Sequence, residues 1–512
     1  MKTINMNTKS LIIIALITAS LSINAQTKSI KALDEFVETI YDSIPYAPSI
    51  SIGVIHNGKI VHKKAYGYSN VENKMPAKTS TQYYIASTTK SFTALAATIL
   101  GEKGLLDFNK SLADYFPKVK FADSIQADKI KIPDLLGHTS GIDNCAGMTY
   151  ALSNTGSYTI DQLFDLMENT CARLPYGTYR YSNLGYNIMN LIFLKELGKT
   201  WKDVVQEEVL NPIGMNHTYS SYINLLENKE DVATPYQALG VNGKDFFAIP
   251  NLFKRDETMH AAGGLYASVD DVLKWLLVQV SDGKINSKTV ISPTALAKTR
   301  KIRGEVKGKG FGFNGMNISY GLGWNIAKYK DKLLYHHGGA FAGYRTMISY
   351  IPETKSGVVV MVNDSNIGNS FTHFLSTFAY DFFDETLKDK DWKQSYYKWI
   401  TKSKAETKKY GLDPMYQDFL NRSKRTWDLS VPFSAITGAY KCKDENLPII
   451  RVFEKDGELG VSQGIMNARV EPQGFPNAIR IDMTGGGETL QLDVEGDRVK
   501  GFTYKDNYYE KL

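Results

Sequence analysis

The chain has 512 residues, 43% of them hydrophobic and 22% charged, with a formal net charge of +6. That balance excludes an intrinsically disordered chain, which needs low hydropathy and high net charge. The charge is also too mild to mark a nucleic-acid-binding protein.

At roughly 100–200 residues per domain the length allows two to four domains, one of them a large catalytic unit. Residues 1–25 read as a signal peptide, so the chain is expected to be exported, to the periplasm or beyond. Lys2 and Lys9 form its basic end, Leu11–Ala19 its apolar core, and Ala25 the small residue before a cut at Gln26. The apolar run is too short to span a bilayer, which takes about 20 residues, so no stable membrane insertion is expected once it is removed.

A helix is predicted over Ser29–Ile44, ended by Pro45. Ser49–Ile55 and Lys59–Tyr66 read as strands around His56-Asn-Gly58, because Asn-Gly favours the positive φ angles of a tight hairpin. Ser87–Glu102 reads as a helix with an apolar face of Phe92, Leu95, Ala96, Ile99 and Leu100. A mostly helical, loop-rich middle runs to about residue 300. Strand signals return at Lys332–His336, Tyr344–Ile351 and Gly357–Asn363, followed by a helix over Ser370–Glu385. Strands first, helices in the middle and strands last imply an α+β fold whose sheet is built from both ends of the unit. Together these make a domain of residues 26–387. Residues 388–432 read as a linker or helical bridge; their Lys402–Lys409 stretch is a solvated face or a basic patch. From 433 to 512 five short strands with Gly-containing turns suggest a small all-β barrel or sandwich: Ile449–Glu454, Glu458–Ser462, Ala478–Met483, Thr489–Val494 and Val499–Tyr504.

Three cysteines, Cys145, Cys171 and Cys442, leave open a Cys145–Cys171 disulfide or free thiols. With no CxxC, no HExxH and eight scattered histidines, neither a metal nor a cofactor is expected.

Three clusters could carry chemistry. In Ser87-Thr-Thr-Lys90, Ser and Lys three apart on a helix share one face, and a desolvated amine can act as base for the hydroxyl. Other Ser-x-x-Lys runs start at Ser281, which contains a turn, and at Ser395, in the charged bridge. Only Ser87 follows a hairpin and opens an apolar helix; a plain surface helix still fits equally well. In Tyr181-Ser-Asn183 a phenol can exchange protons with a lysine and an amide can hold a substrate carbonyl, yet the same Tyr-x-Asn occurs at Tyr68 and Tyr222. In His337-Gly338-Gly339, glycines beside a histidine let a ligand approach the backbone.

The ordered segments resemble the class C β-lactamase family, which also holds penicillin-binding DD-peptidases, D-aminopeptidases and esterases. They are Tyr84-Ile-Ala-Ser-Thr-Thr-Lys90, Ile132-Pro-Asp-Leu-Leu-Gly-His-Thr-Ser-Gly141, Pro175-Tyr-Gly-Thr-Tyr-Arg-Tyr-Ser-Asn183, Asn211-Pro-Ile-Gly-Met215, Ala262-Gly-Gly-Leu-Tyr-Ala-Ser268, Tyr320-Gly-Leu-Gly-Trp324 and His337-Gly-Gly-Ala-Phe-Ala-Gly343. The resemblance runs from about residue 30 to 365. It implies a β-lactamase/penicillin-binding-protein-like fold, an antiparallel sheet with helices. It implies Ser87 as nucleophile, Lys90 and Tyr181 sharing base and acid roles, and Asn183 orienting the substrate amide. His337 would stand near the leaving group or a substrate carboxylate. The backbone N–H groups of Ser87 and Ala340, beside Gly338 and Gly339, would form the oxyanion hole.

His337-Gly-Gly stands where the β-lactamases have Lys-Thr-Gly and resembles the peptidase branches. Leu174-Pro-Tyr-Gly departs from the usual Pro-Pro-Gly. His138 is expected to be structural, His336 to face away from His337, and Arg345 either to pack or to meet a substrate carboxylate. The expected activity is cofactor-free hydrolysis of amide or peptide bonds in D-amino-acid-containing substrates, such as cell-wall stem peptides. Ester hydrolysis is the alternative, and a true β-lactamase or a non-catalytic penicillin-binding sensor are lesser ones.

Overall fold

Ser356–Val362 (SGVVVMV) is buried along its whole length, as a strand must be when both faces of its sheet are covered. In this computed structural model, residues 30–42, 47–143, 174–239, 245–248, 254–256, 260–306, 317–365 and 368–384 are described. So are a few positions between 394 and 409, and residues 413–443, 447–483, 487–504 and 507–512. The segment 1–25, the possible Cys145–Cys171 pair and part of the bridge lie outside the described residues; within the bridge, Asp413–Arg422 is a helix.

The sheet has nine antiparallel strands. From one edge they are Gly304–Glu305, Asn317–Tyr320, Asn325–Tyr329, Lys332–Phe341, Tyr344–Ile351, Ser356–Val362, Ser49–His56, Lys59–Asn70 and Met75–Pro76. The N-terminal hairpin joins the late strands through Ile50↔Val362 and Val54↔Val358, so the sheet does come from both ends of its unit. Helices 30–42 and Gly368–Phe382 cover one face, where Leu33, Val37, Leu375 and Phe378 pack against Ile50, Ile52 and Val360. Helix Val269–Val280 covers the other, with Leu273 so close that a Cβ at Gly53 would lie 2.9 Å from it. Alternation along Lys332–Phe341 puts His336 beside His373 of the first layer, ring centroids 6.5 Å apart, and His337 on the opposite face.

Helix Thr89–Glu102 is not the one-sided helix its apolar residues suggest. Thr89, Lys90, Ser91, Thr93 and Thr98 are as buried as Phe92 and Leu95, because the helix runs through the middle of its layer. Its hydroxyls are satisfied locally or by the neighbouring chain: Ser91 donates to the Thr88 carbonyl, Thr98 to that of Leu95, and Thr93 to that of Ala261, each at 2.8 Å. Phe92 stacks on Trp275 at 4.1 Å, and Trp275 on Trp324 at 6.3 Å. This aromatic column fixes the helix relative to the sheet.

The C-terminal residues form a closed barrel of eight antiparallel strands from Gly438–Cys442 to Asn507–Lys511. Tyr440↔Lys511 closes it. Three of its strands give no clear sequence signal: Gly438–Cys442 is short, Met466–Pro472 ends on proline, and Asn507–Lys511 is polar. Cys442 is a buried free thiol.

Candidate active site

Ser87 sits in a single 3-10 turn, Ala86–Thr88, just before the α-helix rather than on it. The turn is held from both sides. Ile85 N–H donates to the Leu265 carbonyl at 3.0 Å, and Thr88 Oγ1 to the Ile85 carbonyl at 2.8 Å. Ala86 has φ +46°, an unfavourable conformation for a residue with a Cβ. The turn thus leaves Ser87 partly exposed while its neighbours are buried.

Lys90, one turn on, is fully buried, and its amine makes three contacts. Asn183 Oδ1 and the Ala262 carbonyl lie at 2.7 Å each, and Ser87 Oγ at 3.2 Å. Burial holds the amine well below the usual lysine range. A neutral amine has two N–H groups and one lone pair. The two short contacts go to oxygens that can only accept, and the longest faces the one partner that carries its own proton. This arrangement fits a lone pair aimed at the Ser87 hydroxyl.

Tyr181 closes the other side. Lys90 Nζ lies 4.9 Å from its ring centroid. Burial pushes its phenol above the ordinary range, and its hydrogen bond with Ser87 acts in the opposite sense. The segment Tyr181–Asn183 is held by His138, whose Nδ1 accepts the Ser182 N–H at 3.2 Å. His138 packs on the rings of Tyr181 and Tyr320 at 4.5 and 4.6 Å. It is therefore a bracket for the Tyr181 segment. Tyr176, of the divergent Leu174-Pro-Tyr-Gly run, donates to Asp134 at 3.2 Å.

His337 meets the site from the sheet. Its Nδ1 is 2.8 Å from the Gly338 carbonyl, which can only accept, so that nitrogen carries the proton. Nε2 then accepts the Tyr320 hydroxyl at 3.0 Å. Burial, with the Lys90 amine nearby, pushes the imidazole down to about 3. The ring is neutral throughout the physiological range, and not the half-charged group that an unshifted histidine would be. Arg345 is tied down, donating to the Phe341 and Tyr344 carbonyls at 2.7 and 2.8 Å, which is the packing alternative.

Gly338, Gly339 and Ala340 run past the Ser87 turn. A Cβ at Gly339 would lie 2.0 Å from the Ile85 carbonyl oxygen, whereas one at Gly338 would meet nothing closer than the Met347 methyl at 3.4 Å. The close approach of strand to turn therefore depends on Gly339. Gly339→Ala is expected to displace the strand and lower kcat/KM by about 100-fold, the scale of a 1 Å misplacement. Gly338→Ala is expected to change it by much less. Equal rates for the two variants would show that the strand does not press on the turn.

The structure thus brings Ser87, Lys90, Tyr181, Asn183 and His337 together from three separate stretches of the chain. Sequence reasoning assigned no role to Tyr320 or to the Ala262 carbonyl. Both lie inside recognised segments, but a carbonyl acceptor and a second-layer phenol leave no residue-type signal. No group of metal-ligating side chains occurs among the described residues, and no helix among them is long and apolar enough to cross a membrane.

The family model described as Beta-lactamase matches residues 37–372. Protein flp of Staphylococcus aureus is 27% identical over 62% of this chain, a match that spans 60% of that relative's length. The octameric penicillin-binding protein homologue from Pyrococcus abyssi superposes with a TM-score of 0.58 at 23% identity, over 94% of this chain and 100% of that one. The D-amino acid amidase from Ochrobactrum anthropi SV3 does so with a TM-score of 0.56 at 18% identity, over 71% and 99%. At these identities the two structural likenesses speak to the fold.

Proposed function

The chain belongs to the Beta-lactamase family, and from that membership we propose that it is a serine hydrolase that cleaves amide bonds of D-amino-acid-containing peptides through a Ser87 ester. The observation that carries the reading is the buried Lys90 amine 3.2 Å from Ser87 Oγ, with its other contacts saturated by neutral oxygens. Lys90 takes the Ser87 proton as Oγ attacks the substrate carbonyl. Backbone N–H groups of Ser87 and Ala340 receive the oxyanion. Tyr181, whose phenol stays protonated, hands a proton to the leaving amine. Water then attacks the ester, and the same groups run in reverse.

One observation favours an amide over a β-lactam: the neutral His337 offers no fixed charge to a β-lactam carboxylate. A panel of D-amino amides, D-Ala-D-Ala peptides, short-chain esters and cephalosporins tests this. The D-configured amides should give the highest kcat/KM. Faster cephalosporin turnover would make the protein a β-lactamase, and ester turnover alone would make it an esterase.

We place the mature enzyme outside the cytoplasm, on the composition of residues 1–25. Mass spectrometry of the mature chain should find Gln26 at its N-terminus; Met1 on a membrane-bound product would oppose this.

A further inference from the structure

Lys254 lies outside the set described above and is the least compensated cation near it. Its side chain is buried, and its amine has no hydrogen-bond acceptor among the described residues. It sits 4.1 Å above the ring centroid of Phe341. No carboxylate of the described residues pairs with it. Desolvation accordingly holds the amine down at about 7. An unpaired cation in a dry site is strongly disfavoured unless an anion joins it.

The position of Phe341 locates this amine relative to the reaction. Residues 337, 339 and 341 share one face of strand Lys332–Phe341, the face that Gly339 presses against the nucleophile turn. The Phe341 ring packs edge-on against Tyr84, centroids 5.4 Å apart, three residues before Ser87. His337 therefore marks one end of the reactive stretch and Phe341 the other, about 13 Å apart at some 3.3 Å per residue. From Lys254 the chain returns to the site: the His260 ring is held neutral by burial and by both Lys254 and Lys90, and Ala262 binds Lys90. With the leaving group toward His337, the Lys254 amine faces the acyl side.

We propose that Lys254 is a specificity residue that receives a carboxylate carried on the acyl side of the substrate. This rests on the Ser87 acyl-enzyme reading and narrows its substrate class to acyl donors with a carboxylate a few bonds from the scissile carbonyl. One ammonium matches one negative charge, and a phosphate dianion would remain half-neutralised in a dry pocket.

The test compares matched acyl donors in the wild type and in Lys254→Met. Carboxybenzylpenicillin and benzylpenicillin differ by one acyl-side carboxylate, as do phenyl hydrogen glutarate and phenyl valerate by a terminal one. The wild type should prefer the carboxylate member of each pair in its acylation rate. In Lys254→Met that preference should fall roughly 10- to 100-fold, the scale of a lost hydrogen bond to a charged group, mostly through the carboxylate member. The variant's melting temperature should equal or exceed that of the wild type, because a buried unpaired amine is removed. No preference in the wild type, or an unchanged preference in a folded variant, overturns the proposal. If the esters acylate Ser87 and neither penicillin does, the peptide-amide reading fails and Lys254 is judged on the ester pair.

Discussion

Ser87→Ala is expected to lower turnover by on the order of 10⁶-fold, the scale at which removing the nucleophile of a serine hydrolase acts, with the fold intact. The fold should survive because Ser87 contributes little to the turn that displays it. That turn is held by Ile85 N–H on Leu265 and by Thr88 Oγ1 on Ile85, and Ser87 is the partly exposed residue among buried ones. The variant loses the attacking atom and keeps Lys90, Asn183 and the Gly339 contact, so it should still bind substrate. Turnover, substrate affinity and thermal melting measured on one preparation check this. Turnover within tenfold of the wild type would remove Ser87 from the mechanism.

Lys90→Ala is expected to slow acylation of Ser87 by about 10³- to 10⁴-fold, the upper range for loss of a positioned general base. Single-turnover labelling of Ser87 reads the step directly. The pH profile supplies the sign. Acylation requires the neutral amine, so its rate should rise with pH through the Lys90 pKa and then level off. Because burial lowers that pKa, the plateau should begin well below the pH at which an ordinary lysine loses its proton. The phenol of Tyr181 is shifted upward, which moves any alkaline fall to higher pH. His337, down at about 3, should add no inflection between about pH 5 and 8, where an unshifted histidine titrates. In Lys90→Ala the acid limb should vanish along with most of the rate. A limb that persists unchanged would assign it to another group and make Tyr181 the base.

The same electrostatics separate three basic side chains of this domain. Lys90 is buried but surrounded by neutral acceptors. Arg345 is anchored on two backbone carbonyls. Lys254 has neither, only the face of Phe341. Charge count along the chain treats the three alike, and only their surroundings distinguish a base, a structural tether and a receptor for an anion.

The sequence by itself determined much of this protein. Its strand–helix–strand order implied an α+β fold whose sheet is built from both ends of one unit, the family resemblance implied that the sheet is antiparallel, and alternation around Asn-Gly placed the N-terminal hairpin. Five of the eight barrel strands were legible from regular turn spacing; the polar, short or proline-ended three were not, because their pairing comes from barrel closure. The Ser-x-x-Lys, Tyr-x-Asn and His-Gly-Gly clusters were legible as residue types, and their spacing alone could not say that they meet. Tertiary structure decided that. Ser87 comes from a 3-10 turn and Lys90 from the helix that follows it, Asn183 from a helix start 93 residues away from Lys90, and His337 from a strand pressed on the Ser87 turn through Gly339. It also decided the direction in which Lys90, Tyr181 and His337 are shifted. Desolvation depends on what packs around a side chain, and chain order does not encode it: hence a lysine that can serve as a base, a histidine that stays neutral, and a second lysine, Lys254, left waiting for a charge.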